Sequence, residues 1–149
     1  MIRIDVFNEG VRLPYNGITK KTIKDLASSA VELLSLRGAR ITVIITDDAY
    51  ITTINKYYRG YDAPTDVLSF SYQDNPFPLE DEAPEDMGDI FISIERAARQ
   101  AAEYRVALVQ EIKRLIVHGI LHLAGYDHER SKKEERIMAR KEKEIYDNI

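Results

Sequence analysis

The chain has 149 residues, is 44% hydrophobic and 31% charged, and carries a net charge of −4 with no cysteine. That length suits one domain spanning 1–149, because two would each have too small a core. The balance excludes disordered and collagen-like classes, and no apolar run approaches the ~20 residues of a bilayer span.

Without cysteine, neither a disulfide nor a thiolate metal site can form. The start, Met1-Ile-Arg-Ile-Asp-Val-Phe, alternates like a strand and lacks the features of a signal peptide, so a cytoplasmic location is expected. The acidic balance argues against whole-surface binding to nucleic acid. The acidity is local, however: residues 73–95 hold eight acidic and no basic groups, which leaves room for a basic surface elsewhere.

In chain order, residues 2–7 read as a strand. From Thr19 to Leu36 apolar residues recur at three and four (Ile23, Leu26, Ala27, Ala30, Leu33, Leu34), which predicts a helix. Gly38 is placed to end it. Residues 40–46 are the strongest strand. Asp47 and Asp48 suit the N-terminus of a helix running to about Tyr58, because a carboxylate accepts free backbone N–H bonds there. A turn follows at 62–65, then a third strand at 66–72. Residues 73–87, with three prolines and six acids, read as a solvated loop. Repelling an anionic polymer from one side or contacting a basic protein is the other reading of that loop. Gly88 opens a fourth strand. Helices are predicted over 95–104, 107–123 and 132–147. The order implies an α/β fold of the α+β type, a mixed sheet of about four strands covered by helices.

The segment Leu115-Ile-Val-His-Gly-Ile-Leu-His-Leu-Ala-Gly-Tyr-Asp-His128 carries the chemistry. His118 and His122 lie four apart on an apolar helix, which places both rings on one face. Gly125 suits a left-handed residue that ends the helix and turns the chain back, bringing His128 toward the same point. A lone histidine on an apolar helix is best read as a satisfied core residue, and an exposed cluster as a pH switch. A pair at i,i+4 followed by glycine and a third histidine instead points to a metal ion. Three neutral nitrogen ligands leave a fourth position open, the catalytic pattern, with zinc favoured and nickel or another divalent transition metal possible. The spacing resembles the extended zinc-protease motif, but Gly119 stands where that motif has its glutamate base, and glycine cannot accept a proton.

The run at 118–128, the block Asn55-Lys-Tyr-Tyr-Arg59 with Pro64-Thr-Asp-Val-Leu-Ser-Phe70, and Gly88-Asp-Ile90 together resemble the YbeY family over essentially the whole chain. Ser71 departs from the family's usual proline. The resemblance implies a metal-dependent endoribonuclease that cuts single-stranded RNA, zinc-dependent with the metal that the three histidines favour. It also implies a role in ribosomal RNA processing, ribosome maturation and quality control. The implied partners are ribosomal RNA and the small ribosomal subunit with its assembly factors; no membrane and no DNA are expected. It makes Arg59, otherwise a solvated surface residue, a candidate catalytic group holding phosphate with its planar fork.

Asp127 has three readings, of which capping a turn or orienting a ligand histidine rank above acting as a base. Thr65 and Asp66 read as turn chemistry at least as well as substrate contacts. Tyr57, Tyr58, Tyr61 and Tyr72 read either as stacking groups for unpaired bases or as packing. Lys132 and Lys133, beside Glu134 and Glu135, read as a solvated face. Attack by water activated at the metal and attack by the RNA's own 2′-hydroxyl both remain open, and a 2′,3′-cyclic phosphate end marks the second. A metallohydrolase of a peptide or amide, and a non-catalytic ribosome-assembly factor with a structural metal, are the competing readings.

Overall fold

A computed structural model of the chain describes residues 1–72 and 86–149. The elements run β1 (Arg3–Glu9), α1 (Lys20–Leu33), β2 (Arg40–Thr46), α2 (Asp48–Arg59), β3 (Val67–Ser71), β4 (Gly88–Ser93), α3 (Ile94–Tyr104), α4 (Leu108–Leu123) and α5 (Lys132–Asp147). The strands form one mixed sheet in the order β1-β2-β4-β3, with β3 antiparallel to β4 and the other pairs parallel. This is the four-stranded α+β arrangement that the sequence predicts. Parallel neighbours need a crossover, and α1 supplies it between β1 and β2.

The register sets Val6, Val43, Ile90 and Ser69 side by side. Because alternate side chains share a face, Ile4, Val6, Ile41, Val43, Ile45, Ile90 and Ile92 make one buried apolar surface. Helices α1 and α4 pack over it and against each other. Helix α4 buries residues on nearly every side, including Ile112, Leu115, Ile116, Ile120 and Leu121, as expected for a central helix. At Gly119 the helix lies tight against the sheet. A Cβ there would lie 2.9 Å from Ile90 Cγ2 and 3.1 Å from Ser69 Oγ. On the opposite face α2 lays Tyr50 and Tyr58 against Phe91 and Phe70. β3 is thus an edge strand with α4 on one side and the end of α2 on the other.

One boundary differs from the sequence reading, whereas β4 begins at Gly88 as predicted. Helix α1 stops at Leu33, and the left-handed residue that ends it is Ser35 (φ 57°); Gly38 is left-handed too (φ 74°) but lies in the turn before β2. Ser35 N–H donates to Glu32 O (3.0 Å) and Leu36 N–H to Val31 O (3.3 Å), closing the last turn. Leu36 is buried without being helical, so the apolar spacing outruns the helix. The predicted loop at 73–87 falls outside the described residues except for Asp86 and Met87. Met87 is buried and its N–H donates to Arg40 O, so the chain has rejoined the sheet before Gly88. Among the described residues no helix is long and apolar enough to cross a membrane.

Candidate metal centre

His118 and His122 occupy successive turns at the end of α4, with ring centroids 4.7 Å apart and their Nε2 atoms 3.1 Å apart. Gly125, at φ 100°, ends the helix as its residue type predicts. Its N–H donates to His122 O and that of Tyr126 to Leu121 O, both at 3.0 Å. The chain reverses there and carries His128 to within 5.3 Å of the His118 ring and 5.0 Å of the His122 ring. Asp127 fixes the turn: Oδ1 accepts Glu129 N–H at 2.7 Å and Oδ2 pairs with Arg130 Nε at 3.3 Å. Arg130 also donates to Gly125 O at 2.9 Å.

The ligand atoms of the three histidines lie within 4.8 Å of one another, and among the described residues no carboxylate joins the group. Two nitrogens bound at ~2.0–2.1 Å to one tetrahedral ion sit roughly 3.3 Å apart, close to the observed Nε2 separation. His128 Nδ1 is buried with no hydrogen-bond partner, a costly state for a polar atom. The residues therefore fit a cation with three nitrogen ligands.

Glu142 on α5 accepts a hydrogen bond from His118 Nδ1. A carboxylate can only accept, so the His118 proton is held on Nδ1 and the Nε2 lone pair faces the other two rings. Burial first, then the His118 and His128 rings, push the His122 imidazole down to about 4, against the opposing pull of Asp127. Its ring is therefore neutral at neutral pH, with a lone pair to give.

The histidines, from α4 and the turn after it, line a cleft of about 430 Å³ together with Arg59, Tyr61 and Asp66 from the α2–β3 side. Arg59 is the last residue of α2, where Gly60 at φ 77° ends the helix. Its guanidinium is exposed and sits 5.9 Å from the Phe70 ring centroid, and among the described residues it has no ion pair. The structure thus brings Arg59 to the three histidines across more than fifty residues of sequence. Asp66 serves the turn into β3: Oδ1 accepts Val67 N–H at 2.8 Å and its carbonyl accepts Ser93 N–H at 3.0 Å. Tyr57, Tyr58, Tyr61 and Tyr72 are all exposed and take no place in the core. Lys132 and Lys133 lie on an exposed face, as expected.

Two features escape the sequence reading. One is Glu142. It falls four residues after buried Met138 and three before buried Ile145, so an acid on the apolar face of α5 was the available signal. The other is buried Glu111, which takes both Arg114 Nε (2.8 Å) and Nη2 (2.7 Å) and also Gln100 Nε2 (2.5 Å). Gln100 reaches on to Asp66 at 3.3 Å, which ties the cleft wall at β3 to α3 and α4. The pair with Glu111 raises the Arg114 guanidinium above its ordinary range, so this cation is fixed.

A family model described as Endoribonuclease YbeY matches residues 10–149. An endoribonuclease YbeY of Persephonella marina is 43% identical over 136 residues, covering 89% of this chain and 84% of the relative. One from Geobacillus thermodenitrificans is 40% identical over 152 residues, covering 97% and 94%. A Thermotoga maritima protein solved in solution superposes with a TM-score of 0.66 at 30% identity, covering 98% of this chain and 87% of the other. With the cleft's histidines and arginine inside the matched region, the chain belongs to the YbeY family.

Proposed function

We propose that this chain is a metal-dependent endoribonuclease, specific for single strands, acting in ribosomal RNA processing, ribosome maturation and quality control. One observation carries the reading: a three-histidine group and an arginine with no ion pair among the described residues line one cleft, in a chain matched over nearly its whole length by proteins named endoribonuclease. The ribosomal setting, the small subunit as partner and a cytoplasmic location rest on the family resemblance. The chain is read as a single domain over 1–149.

His118, His122 and His128 would hold one divalent ion, with zinc favoured by three imidazole donors and nickel the next choice. Such an ion, when bound, would polarise a phosphodiester oxygen and lower the pKa of a coordinated water. The chain does the rest. Glu142 holds the Nδ1 proton of His118, which fixes the ring's orientation and tautomer. Burial keeps His122 neutral. Arg59 directs N–H donors into the cleft, where a fork of two can meet the non-bridging phosphate oxygens and offset the charge that grows as the bond breaks.

The competing readings are less well supported. Peptidase chemistry by the zinc-protease route needs a glutamate at 119, and that position has no room even for a methyl group against Ile90 and Ser69. A structural metal calls for four protein ligands, and the group holds three among the described residues.

The test is cleavage of an end-labelled single-stranded RNA by the purified protein, before and after chelation and after zinc is restored. Cutting that stops on chelation and returns with metal supports the reading. Cutting that survives chelation, or no cutting even with small ribosomal subunits present, contradicts it. A 2′,3′-cyclic phosphate on the product assigns the nucleophile to the RNA's 2′-hydroxyl.

A further inference from the structure

The cleft is poorly equipped to hold a polyanion by charge. Among its described lining residues Arg59 is the sole cation, while Asp66, Asp127 and Glu129 are anionic. Arg114 and Arg130 are engaged with Asp66 and Asp127, so among the described lining residues Arg59 alone is left to meet phosphate. An RNA chain therefore needs another grip near the Arg59 side, and the surface there is aromatic.

Tyr57, Tyr58 and Tyr61 are 80%, 62% and 67% exposed. Clustered exposure of this kind marks a binding surface more often than scattered apolar residues do. The rings are also ordered. Tyr57 and Tyr58 meet edge to face at 4.8 Å, Tyr58 leans on Phe70 at 5.1 Å, and Phe70 carries the Arg59 guanidinium at 5.9 Å. Phe70 in turn packs on Phe91 at 5.8 Å, which anchors the set to the sheet. The array is continuous with the cleft, because Tyr61 lines it together with Arg59.

We propose that Tyr57 and Tyr58, braced through Tyr58 by Phe70, together with Tyr61 at the cleft, form a stacking platform for the unpaired bases that flank the phosphate held at Arg59. The ligand is a short single-stranded RNA, gripped through its base faces and not through its charge. A duplex keeps its base faces buried in its own stack, so this platform selects single strands without reading their sequence. The proposal rests on the endoribonuclease reading for the identity of the nucleic acid.

The experiment titrates metal-loaded protein with an eight-nucleotide RNA and with an abasic ribose-phosphate oligomer of the same length. Wild type is compared with the Tyr57→Ala/Tyr58→Ala and Tyr57→Phe/Tyr58→Phe double variants and with Tyr61→Ala. Fluorescence anisotropy of a 5′-labelled oligomer reads binding alike in every variant, whereas the emission of the chain's nine tyrosines would change with the substitutions themselves. A gel of each sample reads cleavage at the same time. The alanine double variant is expected to weaken RNA binding by about 5- to 150-fold, the range for loss of one stacked base. The phenylalanine variant should bind like wild type, and the abasic oligomer should bind all of them weakly and alike. Log affinity against log salt should be shallow, with a slope of magnitude about 1 or less, as one phosphate contact to a single strand gives.

If the alanine variants bind and cut RNA like wild type, or if the abasic oligomer binds as well as RNA, the platform is overturned while the nuclease reading stands. If wild type neither binds nor cuts any RNA, both fall.

Discussion

The two walls of the cleft are built in opposite ways. The histidine wall lies within eleven residues of one helix end: its rings are part-buried, one is held neutral, and one is locked by Glu142. The α2–β3 wall is exposed, its arginine has no ion pair among the described residues, and its tyrosines face solvent. The contrast follows from what each would bind. An ion at ~2 Å tolerates little play in its ligands, whereas a flexible polymer is met by groups that are free until it arrives. A first wall that loosened, or a second whose arginine proved to be ion-paired before the polymer arrives, would break this division.

The largest expected effect is His122→Ala. It removes one of three ligands and should abolish both metal retention and cleavage, a loss beyond the ~1,000-fold ceiling for one charge-stabilising donor. Arg59→Ala should leave metal content unchanged and slow cleavage by about 100- to 1,000-fold, with Arg59→Lys in between because lysine lacks the fork. Glu142→Ala should weaken metal binding by about 10- to 100-fold, measured by competition with a zinc-binding dye. Glu142→Gln should give an intermediate loss, because an amide oxygen still accepts the Nδ1 proton. An unchanged affinity in both would mean that α5 does not support the metal wall.

Smaller effects concern the fold beneath the walls. Gly119→Ala should cost about 1–3 kcal/mol through overpacking against Ile90 and Ser69, seen as a lower urea midpoint at unchanged slope. The pH dependence of the metal-free protein should follow His122. Its folded value of about 4 lies below the ordinary 6.5, so on acidification the unfolded chain takes up the proton first. The stabilisation from a neutral His122 is complete above ~6.5 and is lost as pH falls through about 4. His122→Asn should flatten that part of the profile, and a profile that stays the same would remove His122 as its cause.

The difference between the walls also explains what could be read from the chain. The histidine wall is local: an i,i+4 pair, a glycine at the turn and a third histidine are a pattern in sequence distance, so the spacing alone places them together. Arg59 has no such pattern. It reaches the site because β3 inserts at the sheet edge and brings the end of α2 alongside, and strand order is a matter of non-local pairing that spacing does not encode. The resemblance to a family, not the residue itself, singled it out. Glu142 was hidden because acids are abundant on α5, and only its place between Met138 and Ile145 on the buried face sets it apart. The element boundaries were legible except where packing overrides local rules, as when Leu36 joins the core beyond a helix that Ser35 has already ended.

The most direct test of the account measures bound metal and RNA cleavage on the same preparations of wild type, His122→Ala and Arg59→Ala, each shown to be folded by circular dichroism. The account predicts about one ion per chain in wild type and Arg59→Ala, as three ligands around one ion require, none in His122→Ala, and cleavage by wild type alone. A folded His122→Ala that still cuts RNA like wild type, or an Arg59→Ala that keeps its metal and its full rate, would contradict the claim that the two walls act on one phosphate.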